Sequence, residues 1–68
     1  MADHSWVYLD VSRILAESDK AFLVLLEDGR EEWLPKTQIN DWEQFNVGDT
    51  NLTIDITHWL AEQKGLVE

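Results

Sequence analysis

Two histidines, three serines and fourteen carboxylates are the side chains of this chain that could do chemistry, and their spacing narrows what that chemistry could be. His4 lies close to the first residue and His58 stands after a strand-like run. Ser5, Ser12 and Ser18 sit in no nucleophile motif. His58 is close enough to Asp55 to share a proton, but a histidine in a first helical turn is ordinarily a local structural residue. Glu31 and Glu32 are adjacent, so on a strand they point to opposite faces and cannot share acid–base work. The run Glu27-Asp28-Gly29-Arg30-Glu31-Glu32 lacks the regular array of oxygen ligands that a calcium loop needs. With no cysteine and two separated histidines, a structural zinc has no ligand set. There is no glycine-rich phosphate cradle. The expectation is a protein that is not an enzyme and carries no cofactor.

The remaining chemistry is that of contact. Fourteen acidic residues against five basic ones give a formal charge of -9. Such a surface repels nucleic-acid phosphates and anionic lipid headgroups and favours basic partners. The acids are spread along the whole chain, so no acidic tail accounts for the charge. Trp33 and Trp42 with Lys36 could offer two stacking rings and one cation to a single-stranded nucleic acid. The electropositive groove such binding needs is missing, because the five cations are scattered among nearly three times as many acids. The residues expected to meet a partner are Glu27, Asp28, Glu31, Glu32, Trp33, Lys36, Trp42 and Glu43. Trp42, in a polar loop, is the ring expected to be most exposed, with Trp33 second.

These residues need elements to hold them. Residues 1–68 form one domain, with 1–5 expected to be flexible. A chain this short buries about 60% of its extended surface on folding, which allows one small core. Trp6 to Val11 alternates as a strand, and Ser12 to Glu17 reads as a curved second strand or a bulged continuation. Ala21 to Glu27 is the strongest strand, apolar on both faces: Phe22, Val24 and Leu26 on one, Ala21, Leu23 and Leu25 on the other. Asp28-Gly29 predicts a two-residue turn, and Arg30 to Leu34 returns until Pro35 ends the pairing. Lys36 to Ile39 reads as a tight turn pinned by Ile39. In the polar stretch from Asn40 to Thr50, Trp42 and Phe45 are the anchors. Leu52, Ile54 and Ile56 alternate with Thr53, Asp55 and Thr57 in a half-buried strand. Thr57 is placed to cap a helix from His58 to Lys64, Gly65 to end it, and Leu66 to fold back over it. Trp59 is expected to dock that helix on the sheet. The class is α+β, mostly β: a small, strongly bent antiparallel sheet or partly open barrel of four to five strands with a short C-terminal helix.

Two stretches carry a resemblance. Trp33-Leu34-Pro35-Lys36-Thr37-Gln38-Ile39, after the acidic-to-apolar hairpin, and the later Trp59-Leu60-Ala61 with Lys64-Gly65-Leu66 resemble a recurrent class of small uncharacterised proteins from bacteriophages and bacterial mobile elements. With the hairpin, the matching positions cover over half the chain. The resemblance implies a shared fold and a phage or mobile-element origin, and it brings no activity with it. Small acidic proteins of that origin often block host proteins with basic surfaces. The expected function is thus an acidic protein-interaction domain, an inhibitor of a host nucleic-acid enzyme or defence complex. A single-stranded nucleic-acid-binding barrel and an oligomeric structural or regulatory phage subunit are the alternatives. No stretch approaches the roughly 20 apolar residues that span a bilayer, and no export signal is legible, so the expected location is the cytoplasm, without membrane contact. A homodimer is compatible with the doubly apolar strand, which must be covered internally or by a second copy.

Overall fold

The computed structural model describes residues 5–66. Four strands form one antiparallel sheet: β1 (Trp6–Glu17), β2 (Ala21–Leu26), β3 (Glu31–Pro35) and β4 (Thr50–Thr57), in the order β3-β2-β1-β4. A short helix, α1 (His58–Gln63), follows β4 directly. The sheet does not close. Between β3 and β4 the chain makes two single 3-10 turns, at Lys36–Gln38 and Trp42–Gln44, and touches the free edge of β4 by one bridge, Ile39 to Ile56.

The long first strand is possible because it bends. Register shifts between Val11 and Arg13 and between Ile14 and Ala16 show that it bulges twice, and bulges increase local twist. The segment Ser12 to Glu17 is therefore a bulged continuation, one of the two readings of its sequence. At the second bulge the Ile14 carbonyl accepts from Gly48 N at 2.9 Å, and Ile14 N donates to the Asp49 carbonyl at 2.9 Å. The loop before β4 thereby satisfies backbone groups that the bulge frees.

Bending gives the sheet an inner face. Val11, Ile14, Phe22, Val24, Leu34, Ile54 and Ile56 are fully buried there, with Leu26, Ile39, Leu60 and Ala61 nearly so. Each large apolar side chain removed from water contributes about 1.5–3 kcal/mol. Trp42, Phe45, Leu52 and Leu66 pack around this cluster. Helix α1 rests on β4 and β1, and the Thr57 hydroxyl oxygen caps it by accepting from Leu60 N at 3.2 Å. The helix ends as its sequence suggests, with Gly65 at φ +67° and Leu66 N donating to the Ala61 carbonyl at 2.8 Å. Trp59 departs from expectation: it is 57% exposed, and Leu60 and Ala61 dock the helix in its place. In a helix of six residues only one face can meet the sheet, and Trp59 lies off it.

The β2–β3 turn also differs from the two-residue form expected of Asp28-Gly29. Leu26 N donates to the Arg30 carbonyl at 2.8 Å and Gly29 N to the Leu26 carbonyl at 3.0 Å, which leaves a three-residue loop from Glu27 to Gly29. Gly29, at φ +94°, takes the left-handed place such loops require. The Asp28 carboxylate accepts from Arg30 N at 3.0 Å and pairs with the Arg30 guanidinium at 3.0 Å. The backbone bond to Arg30 leads the effects that hold Asp28 below its ordinary 3.8.

Gly29→Ala should cost about 1–2 kcal/mol through left-handed strain alone, read as a lower urea midpoint at unchanged slope. Asp28 has a depressed folded pKa, so its contribution is present above 3.8 and lost as pH falls through the folded value. An Asp28→Asn variant should show a shallower loss of stability across that acid range, in parallel denaturation curves against pH.

Candidate interaction surface

Lys36 is the sequence-selected residue whose position changes most. It is 7% exposed, on the inner side of the molecule. Its ammonium meets the Glu17 carboxylate at 2.6 Å and stands 4.5 Å from the Trp42 ring centre and 5.2 Å from that of Phe22. The backbone explains the placement. Pro35 ends β3, Lys36 N donates to the Lys20 carbonyl at 2.7 Å, and the turn that follows directs the side chain over Phe22. A partly dehydrated ammonium is stabilised by an opposite charge and by the negative faces of aromatic rings, and both are present. Beside it lies a cavity of about 430 Å³ lined by Asp19, Lys20, Pro35, Lys36, Thr37 and Trp42.

Trp42 follows Lys36 inward. It is half-buried, tilted 58° against Phe22 with ring centres 6.4 Å apart, so the expectation that it is the most exposed ring is corrected. The loop that holds it is polar in sequence, but its backbone reverses at Asp41, φ 53°, and turns the indole onto the core.

The eight expected contact residues do not share one surface. Glu27 and Asp28 are exposed on the β2–β3 loop, and Glu43 is exposed on the second 3-10 turn. Glu31 and Trp33 project from the outer face of β3, where Trp33 is 45% exposed. Glu32 pairs with Val24 on the inner side, and its carboxylate meets Lys64 at 3.6 Å. The internal pairs take three of the five cations, Arg30, Lys36 and Lys64.

The outer face of the sheet carries no covering element among the described residues, and it has two different halves. Where β1 extends beyond β2, it pairs with β4 alone. There Trp6 lies opposite Thr57, Tyr8 opposite Asp55 and Asp10 opposite Thr53. Tyr8 is 74% exposed and Trp6 44%, and the Thr53 hydroxyl donates to Asp10 at 3.2 Å. This half places two rings beside two carboxylates. The other half, on β1, β2 and β3, is apolar at its centre: Leu23 lies between Ala16 and Trp33, and Leu25 between Arg13 and Glu31.

Sequence reasoning selected none of Trp6, Tyr8, Asp10 or Asp55. The alternation in β1 does place Trp6, Tyr8 and Asp10 on one face. The missing information was the register that sets Asp55 across from Tyr8. Among the described residues no group of three or more histidines or carboxylates is arranged to hold a metal ion, and no helix is long and apolar enough to cross a membrane. Comparison with protein-family models, curated proteins and solved structures finds no match.

Removing either partner of the Lys36–Glu17 pair has unequal consequences. Glu17→Ala leaves a buried ammonium without its counter-charge and should cost about 1–3 kcal/mol. Lys36→Met keeps the apolar stem against Phe22 and leaves Glu17, whose side chain is 39% exposed, in contact with water. It should change stability by less than about 1 kcal/mol. Urea denaturation of both variants checks this, and the reverse order would show that the ammonium contributes more than packing.

Proposed function

We propose that this protein is a small interaction domain that receives a basic segment of another protein on the Trp6–Tyr8–Asp10–Asp55 half of its outer face. The observation that carries the reading is the register: two exposed rings stand on the same face as two carboxylates of neighbouring strands. Residues two apart on a strand are about 6.5–7 Å apart. A lysine or arginine laid between Tyr8 and Asp10 thus meets a ring face and a carboxylate together. Glu27, Asp28 and Glu43 extend the negative field and speed encounter with such a partner.

In this reading the domain acts by occupancy, with no catalytic step and no cofactor. Together with the resemblance to phage and mobile-element proteins, it describes an inhibitor that covers a basic surface of a host nucleic-acid enzyme or defence complex in the host cytoplasm. Nucleic acid is the less suited ligand. The cation that would have met phosphate, Lys36, is held by Glu17.

Calorimetric titration with a defined arginine-rich peptide tests the proposal. Affinity should fall at least about tenfold as salt rises from about 50 to 200 mM, a range in which screening shortens towards 8 Å. Tyr8→Ala combined with Asp10→Asn should weaken binding by a further factor of about ten, about 1.4 kcal/mol, while Tyr8→Phe keeps it. Unchanged affinity in the double variant would overturn the assignment. Tight binding of labelled single-stranded DNA in its place would favour a nucleic-acid barrel.

A further inference from the structure

We propose that the apolar half of the outer face joins two copies of this chain into a two-fold symmetric dimer, β2 facing β2. This goes beyond the binding reading above and stands independently of it, because Trp6, Tyr8 and Asp10 lie on the part of β1 that extends past β2 and outside the footprint.

The order of residues across three neighbouring strands is self-complementary. One row reads Arg13, Leu25, Glu31 from β1 to β3, and the next reads Ala16, Leu23, Trp33. In a symmetric interface, if residue i meets residue j, then j meets i. A two-fold axis parallel to β2 and between the sheets lays β1 of one copy over β3 of the other. Arg13 then faces Glu31 of the second copy, and Glu31 faces its Arg13. The large Trp33 faces the small Ala16, twice. Leu23 and Leu25 meet themselves on the axis. Sheets stacked face to face lie about 10 Å apart, a gap that an indole opposite a methyl group fills better than two side chains of equal size. Both charge and volume are therefore self-complementary under a single operation.

Further observations favour a second copy over a basic partner on this half. Arg13 and Glu31 are both exposed and make no ion pair among the described residues, so both ends of the row are available. A basic segment on this half would meet Arg13. A standard interface covers about 800 Å² on each partner. The apolar half is only part of a broad side measuring 36 × 25 Å, so the area offered to the second copy lies below that standard and the dimer is a weak, concentration-dependent one. The repulsion between two acidic chains falls off within about 8 Å at physiological salt.

Sedimentation equilibrium of the full chain at about 0.15 M salt reads the result directly. The mass should rise from 7.9 kDa towards twice that value with concentration. Arg13→Glu and Glu31→Arg should each weaken association at least about tenfold, because each sets like charges face to face at both ends. Mixing the two variants should restore a dimer, now of one copy of each, since their charges complement across the axis. Both positions are exposed, and circular dichroism confirms that each variant is folded. Independently, an isotope-mixed sample of the unaltered protein should show contacts between the Trp33 indole of one copy and the Ala16 methyl of the other. A chain that keeps a mass of 7.9 kDa at every concentration, single variants that associate like the unaltered protein, or a mixture that stays monomeric would each overturn the proposal. So would protection of Trp33 only on adding a basic peptide, which would assign this half to a partner.

Discussion

The ammonium of Lys36 is the constraint around which the inner side of this molecule is arranged. It joins four segments of the chain: the end of β1 through Glu17, β2 through Phe22, the first 3-10 turn that carries it, and the second through Trp42. An apolar residue in its place would fill the space, but it would not specify which carboxylate and which rings must converge. Once dehydrated, the charge restricts the chain to arrangements in which Glu17 and the two rings are near it. In a sheet that does not close, such a restriction selects one placement of the segment between β3 and β4, which Ile39, Trp42 and Phe45 then hold over the core.

The other strong constraint is quantity. One sheet and a six-residue helix can cover one sheet face, and the bent inner face takes that cover. β2 is apolar on both sides, so its second row, Leu23 and Leu25, is left on the outside with Trp33 beside it. A larger domain would place a second layer there. This one leaves a face whose rows end in opposite charges and in residues of unequal size. On the same face, where β1 outruns β2, the register with β4 gathers rings and carboxylates into a surface of another kind.

Much of the fold is legible in the residues. The alternation in Trp6–Val11 and Leu52–Ile56, the punctuation at Gly29 and Pro35, and the Thr57 and Gly65 helix boundaries all name elements that form, because each depends on neighbours within a few positions. The departures from those expectations share a different cause. Trp42 looked exposed because its loop is polar, yet the ring is turned inward by a reversal at Asp41 and held by Lys36. Trp59 looked buried because it is apolar and helical, yet Leu60 and Ala61 reach the core first. The Asp28-Gly29 turn was longer by a residue because the Leu26–Arg30 pair closes it.

The sequence by itself determined which segments extend, where they stop, that one strand has two apolar faces, and that the chain carries a large negative charge. Those properties are local or additive, so no partner in space is needed to read them. Tertiary structure alone decided that Lys36 is a buried cation, that Tyr8 stands against Asp55, and that Arg13 and Glu31 flank Leu25. The first depends on the turn after β3 that brings Lys36 back over Phe22, and the other two on register between strands separated by a turn or by most of the chain. A slip of one residue would send every one of those strand side chains to the opposite face, and it is the shared core that sets the register.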